Sequence, residues 1–491
     1  TVSTTDAKFA GKTVNAYKMF SATVSGDGKA VSYTLTDEWK PFFKNSVGLT
    51  GVTDENVNDK ANDYVSKLKD STLVAFATKA SNWAQTKANN ITADATATVS
   101  ADASNGKYTA TFTGLGYGYY VVAVPGATLA NAKSQYATLV SVHSTKVDAD
   151  IKGDLPTVDK KVQVDGTGKD ATDAKIGDTL TFTLTSTIPD MSAYDTYTFN
   201  FKDTLSKGLT FGQVKSVKVE NVTLTENTDY TVTTPTASNN NTLTVAMKDF
   251  KTKQQANAGK KITVTYTATL NENAVVGGAG NVNSAKIQYS NNPSTNGTGE
   301  SEPSKVRVFT YGFTVDKYTG DQYTDAATRL AGAEFTLAHK DGSAISFVQV
   351  SAGSATANAV YRVAKAGETG TTTITTPANG KVVFEGLKNG EYTLTETKAP
   401  AGYNKLASAI GVKVNGQNNG TDTTNATVTI TYNNDNGNDY NQTASNGVIP
   451  VQNKSGAILP GTGGMGTIAF TVIGVLVIAL GVARTLKRKN A

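Results

Sequence analysis

The stretch TYTFNFKDTL, residues 196–205, places Tyr197, Phe199, Phe201, Asp203 and Leu205 at every second position. Side chains alternate across a strand, so these five share one face and Thr, Asn and Lys take the other. Runs of the same style surround it: TLTFTLTS, SVKVENVTL, NTLTVAM, KKITVTYTATL and SAKIQYS, with turn residues between them. Alternation broken by turns predicts an antiparallel sandwich over residues 149–308. One residue breaks the pattern. Asp203 continues an apolar stripe, and a carboxylate is seldom buried without a partner because desolvating its charge is costly.

The rest of the chain fits a mainly β protein. It has 491 residues, no cysteine, 18% charged residues and a net charge of +5. Thr and Val favour strands, and Asn and Gly favour turns. The charge is weak for this length and unclustered outside the tail, which argues against a nucleic-acid partner. The N-terminal TVSTTDAKFAG carries no basic-then-apolar leader, so either the protein is not exported or a signal peptide has been removed. Residues 1–148 form a first block of strands with a helical insertion. In TDENVNDKANDYVSKL, Val57, Ala61, Val65 and Leu68 fall at helical spacing, with Thr53 or Asp54 as N-cap. The glycines of GLGYGYY form a turn, not a phosphate loop, because no helix follows. Residues 309–455 form a third β block. It shares a phrase with the first, FEGLKNGEYTLTE against FTGLGYGYYVV, which points to related folds.

Asp203 is one of several charged or polar residues on apolar stripes. In PTVDKKVQV, Lys160 aligns with Val158, Val162 and Val164, while Lys161 takes the other face. In NVNSAKIQY, Asn283 aligns with Ala285, Ile287 and Tyr289. The third block repeats the set. Lys317 follows Phe313 and Val315, Glu396 follows Tyr392 and Leu394, and Asn453 follows Ile449 and Val451. A lysine amine kept neutral by burial can attack an Asn side-chain amide while a protonated acid polarises it. The bland alternative is a buried ion pair, or strand ends where long side chains reach water.

The chain closes with AILPGTGGMGTIAFTVIGVLVIALGVARTLKRKNA, residues 457–491. Met465 to Ala483 is apolar and just long enough to span a bilayer, and Arg484, Lys487, Arg488 and Lys489 behind it place the end in the cytoplasm. Leu459, Pro460, Gly461, Thr462 and Gly463 precede it. Pentapeptide, span and basic tail in this order resemble the cell-wall sorting signal of Gram-positive surface proteins. The resemblance implies that a sortase cysteine attacks the Thr462–Gly463 bond and passes the Thr462 carbonyl to an amine. The span 465–483 would then hold the exported chain in the membrane only transiently.

YTLTETKAPAGY is similar to the E-box of sortase-assembled pilins, and LAGAEFTL to the early strand of the CnaB fold. GDTLTFTLTSTIPD and KDTLSKGLTF resemble the CnaA-type middle domain of pilus backbone subunits. VIPVQNKSGAILPGTGG resembles their junction of final strand and sorting signal. This likeness implies tandem immunoglobulin-like sandwiches of CnaA and CnaB type. The first has added helices, and a transmembrane helix and sorting signal occupy 456–491. It implies self-formed isopeptide bonds Lys160–Asn283, assisted by Asp203, and Lys317–Asn453, assisted by Glu396, with Lys161 competing for the place of Lys160.

In the first block Val124 stands where the acid would lie, and no internal bond is expected. LVSVHSTKVDAD occupies the place of the acceptor-lysine motif, which makes Lys146 the intersubunit acceptor and Lys152 the next candidate, with His143 a surface neighbour. The implied protein is a structural pilus backbone subunit at the cell wall. Its partners would be a class C pilus sortase, a housekeeping sortase with a peptidoglycan precursor, other copies of itself, accessory pilins and host surface ligands. No enzyme activity, cofactor or metal is implied. The Asn-rich loop NNDNGNDYN matches no calcium loop. The alternative role is a monomeric wall-anchored adhesin binding host matrix or mucus.

Overall fold

The computed structural model describes residues 1–102, 106–128, 137–293, 295–324, 328–417, 425–433, 439–456 and 473–480. The pentapeptide 459–463, most of the span 465–483 and the centre of the Asn-rich loop lie outside them. Among the described residues, no helix is long and apolar enough to cross a membrane. The protein is mainly β, with few helices, and the six sheets among the described residues come in three consecutive groups along the chain.

In the first group, the long strand Thr13–Val24 sits between Val31–Leu35 and Gly118–Ala123, and Ala137–Val142 follows on the far side. Both faces of this sheet are covered. On one face helices Lys40–Asn45, Val57–Ser66 and Asp70–Gln85 bring Phe42, Phe43 and Phe76 against Met19 and Phe20. On the other, Val14 and Ala16 pack with Tyr120 and Val124. A bulge lies between Lys18 and Phe20. Strict alternation along this strand would set Phe20 beside Val14 and Ala16; the bulge breaks it, and Phe20 turns to the helical side. Asn56 directly precedes the second helix but its side chain makes no capping bond to it; it accepts from the Thr53 N–H at 2.8 Å, while the Thr53 carbonyl accepts from the Val57 N–H at 3.0 Å. The third helix, DSTLVAFATKASNWAQ, follows and buries Phe76, Ala77, Ala80 and Ala84.

The middle group packs two sheets face to face around Phe182, Phe199, Phe201, Tyr266, Ile287 and Tyr289. The third group does the same around Phe313, Phe335, Phe384, Tyr392 and Val412. The phrase shared by the first and third blocks has a structural counterpart. Tyr120 donates its hydroxyl to the Gly116 carbonyl at 2.7 Å and Tyr392 donates to that of Lys388 at 2.6 Å, each four residues back. Both rings are buried.

The second and third groups interlock. Ala171–Asp173 pairs with Ser304–Phe309 of the middle group, yet Ala171 and Ile176 belong to the core of the third. The Ile176 N–H donates to Gly386 and that of Gly177 to Leu270. Gly386 has a φ of +83°, and a Cβ there would lie 2.7 Å from the Ile176 side chain. Only glycine suits that backbone at that approach. Ile176 lies in the turn after strand Ala171–Asp173, and truncating it leaves a cavity in a core built mainly from residues far along the chain. Ile176→Ala is expected to cost about 2–5 kcal/mol. Hydrogen exchange should report the lost protection in strands of 309–451.

Candidate functional site

Two buried clusters gather the residues that stood on the wrong faces. In the middle group, Lys160 lies on strand Asp159–Val164 of one sheet. Asp203 and Asn283 lie on neighbouring strands of the facing sheet, Phe199–Leu205 and Asn281–Ser290. Asp203 pairs with Ala285 and Leu205 with Asn283, so the acid and the amide are diagonal neighbours on one face. All three have 0% exposure. The Lys160 amine donates to Asp203 Oδ2 and, at 2.9 Å, to the Tyr266 hydroxyl. That hydroxyl donates to Asp203 Oδ2 at 2.7 Å and accepts from Asn283 Nδ2 at 2.6 Å. Phe182 and Tyr266 stack, and the amine lies 5.1 Å from each ring centre. Lys161 takes the opposite face, where Asp159 and Asp170 pair with it at the surface.

In the third group the topology differs. Lys317 on Tyr311–Thr319 faces Val451 of the parallel strand Val448–Gln452, and Asn453 follows directly. Amine and amide thus belong to adjacent strands of one sheet, while Glu396 reaches across from the other. Lys317 Nζ lies 3.0 Å from Glu396 Oε1. Asn453 Nδ2 donates to Glu396 Oε2 at 3.0 Å and to the Asn404 carbonyl at 2.8 Å. The Leu406 N–H holds the same Oε2 at 2.8 Å.

Burial pushes both amines down to about 8, against the opposing pull of Asp203 on Lys160 and of Glu396 on Lys317. Burial, reinforced by Asp203, raises the Tyr266 hydroxyl well above its ordinary value, so it keeps its proton. Each cluster also holds buried acceptor oxygens without a hydrogen bond: Asp203 Oδ1 and Asn283 Oδ1 in one, Asn453 Oδ1 in the other. Left unpaired, such atoms cost about 1–3 kcal/mol each. A proton on the acid would turn one of them into a donor.

Sequence reasoning missed Tyr266, Asn404 and Leu406. Tyr266 continues the stripe Ile262, Val264, Tyr266, Ala268, and its hydroxyl is the one polar group there. Asn404 and Leu406 act through their backbones, which no residue type reveals. In the first block, Lys18 lies 5.5 Å from the Tyr120 ring centre, and Val124 is buried in the acid's place.

Lys146 follows strand Ala137–Val142 with its side chain 81% exposed. It borders a groove of about 640 Å³ lined by Phe112, Leu115, Tyr117, Val140 and Val142. Lys152 is 37% exposed and bonded to Asp150 at 3.1 Å. His143 is exposed beside Ser141.

Two family profiles match these blocks. Residues 176–293 match the Gram-positive pilin backbone subunit 2, Cna-B-like domain, where the sequence resembled the CnaA type, and residues 321–429 match the prealbumin-like fold domain of SpaA. Part of the chain thus matches a pilin-backbone domain and another part a prealbumin-like domain, each over less than half of its length. It is related to the trypsin-resistant surface T6 protein of Streptococcus pyogenes serotype M6, being 26% identical over 279 residues. That match covers 51% of this chain and 44% of the relative, less than half its length. Among solved structures, the T6 backbone pilin of serotype M6 S. pyogenes has a TM-score of 0.47 at 20% identity, over 83% of this chain and 80% of the other. The full-length major pilin SpaD from Corynebacterium diphtheriae has 0.43 at 20% identity, over 92% and 90%.

The lowered lysine gives a signed pH dependence for a chain that cannot react, such as Asn283→Ala. Between about 8 and the ordinary 10.5, the unfolded chain holds a proton that folded Lys160 has released. Stability must therefore rise with pH across that window, and below it the full cost of burying the charge remains. The gain should be roughly 3 kcal/mol. It would be read from denaturant unfolding against the Lys160→Met, Asn283→Ala double variant, which lacks the titrating amine.

Proposed function

We propose that this protein is the structural backbone subunit of a covalent surface pilus and that both clusters form isopeptide bonds. The observation carrying the bond-forming reading is that each of the last two blocks buries a lysine amine, an acid and an Asn amide together, none more than 2% exposed. Each amine–acid pair shares one proton. Moving it from amine to acid leaves two neutral groups, which burial favours. The neutral Lys160 amine attacks Asn283 Cγ while the protonated acid polarises the amide. A Cγ–Nζ bond forms, the Cγ–Nδ2 bond breaks, and the leaving nitrogen takes a proton and departs as ammonia. Lys317, Glu396 and Asn453 follow the same balance. Each bond closes a loop of more than a hundred residues. By analogy with a disulfide, that restricts the unfolded chain by roughly 5 kcal/mol.

Polymerisation uses the tail and the first block. A pilus sortase breaks Thr462–Gly463 and transfers the Thr462 carboxyl to the Lys146 amine of another copy. Lys146 is better exposed than Lys152, and the groove beside it leaves room for an incoming chain. Donor and acceptor belong to different parts of the chain, so the contact is head-to-tail and builds an open filament. A housekeeping sortase then transfers the finished fibre to a peptidoglycan precursor.

Intact mass of the purified chain should fall below the sequence value by two ammonia molecules. Lys160→Ala or Lys317→Ala should each restore one, and an unshifted parent mass would remove both bonds from the account. Co-expression with a class C sortase should give a polymer ladder that Lys146→Ala abolishes. A ladder persisting in that variant would move the acceptor elsewhere. No ladder from the parent would favour a monomeric wall-anchored adhesin.

A further inference from the structure

The two clusters solve the same geometric problem with acids of different length. In the third group, Glu396 touches the amide nitrogen itself, with Asn453 Nδ2 at 3.0 Å from Oε2. In the middle group, the acid is an aspartate, one methylene shorter. Asn283 Nδ2 donates to the Tyr266 hydroxyl instead, and that hydroxyl donates to Asp203. The same oxygen also accepts from the attacking amine. Tyr266 is thus in contact with all three reacting groups. Its strand, Lys261–Leu270, lies on the same sheet as that of Lys160, across the core from the acid and the amide.

We propose that Tyr266 is a catalytic residue of the first site, relaying the proton that lets the Asn283 nitrogen leave. The proposal rests on the reading of this cluster as bond-forming. The sequence of transfers balances. Neutral Lys160 attacks Asn283 Cγ, and its nitrogen becomes positively charged. Attack frees the Nδ2 lone pair and both hydrogen bonds reverse: the Tyr266 hydroxyl, turned to Nδ2, gives it a proton, and the carboxyl proton of Asp203 replaces it. The Cγ–Nδ2 bond breaks, and ammonia departs with that electron pair. Asp203, now a carboxylate beside Nζ, removes the surplus proton from the new amide. Tyr266 and Asp203 end as they began. A hydroxyl that never ionises suits this role, because it hands over one proton only as it receives another. Burial holds Tyr266 in that form.

The test follows bond formation with time after cell-free synthesis of the full chain, using peptide mapping to score each site separately. The Lys317–Asn453 bond serves as the internal control for folding and for the underlying chemistry. In Tyr266→Phe, the first bond should form about 100-fold more slowly or not at all, a loss typical of a removed proton-transfer group. The second bond should form at the parental rate. Asp203→Glu combined with Tyr266→Phe should recover most of the first bond's rate, because the longer acid reaches the amide as Glu396 does. A first bond forming at the parental rate in Tyr266→Phe would overturn the relay. So would a slow Tyr266→Phe that Asp203→Glu fails to rescue, which would reduce Tyr266 to packing. A parent chain that forms the second bond but never the first would overturn the bond-forming reading of this cluster, and the relay with it.

Discussion

Desolvation of a lysine amine is the constraint on which the two sandwiches turn. A charged amine inside an aromatic core is expensive unless a carboxyl shares the proton. Lys160 sits against Phe182 and Tyr266, and Lys317 lies 5.6 Å from the Phe335 ring centre. An ordinary fold gains little from such a pair, since well-packed apolar residues serve as well or better. Here the pair occurs twice, each time with an Asn amide within the same buried cluster. The unpaired oxygens on Asp203 and on both amides make the unreacted arrangement costlier still. Protonating the acid relieves part of that cost, and in the proposed account that same protonation state starts the reaction.

Topology decides what each linkage would hold. At the first site, the amine belongs to one sheet and the amide to the other, so a bond there would tie the sandwich across its core. At the second, amine and amide flank each other on parallel strands of one sheet, and a bond would lock the last strand onto the first. Between them, the segment 171–178 lends Ala171 and Ile176 to the next core. The two blocks thus share packing as well as chain. Without cysteine, the protein has no disulfide to perform these tasks.

Much of this was legible in the sequence because strands have a period of two. The stripe through Tyr197, Phe199, Phe201 and Leu205 defines a buried face, and that face makes Asp203 conspicuous. The same logic separates Lys160 from Lys161. It fails where the period slips: the bulge after Lys18 sends Phe20 to the helical side. The helix Asp70–Gln85 was missed although its signal is there: Phe76, Ala80 and Ala84 recur every fourth residue in an alanine-rich run. Tyr266 looked like one more aromatic in a core strand. Its role depends on three residues that only the folded sandwich brings to its hydroxyl. Ile176 was hidden because its partners belong to the following block.

The central claim is that these buried clusters become covalent links between distant strands. The most direct measurement is tandem mass spectrometry of a complete digest of the folded protein. The account predicts branched peptides, one joining the segment of Lys160 to that of Asn283 and the other joining Lys317 to Asn453. Linear peptides alone, with Asn283 and Asn453 still carrying their amides, would contradict it.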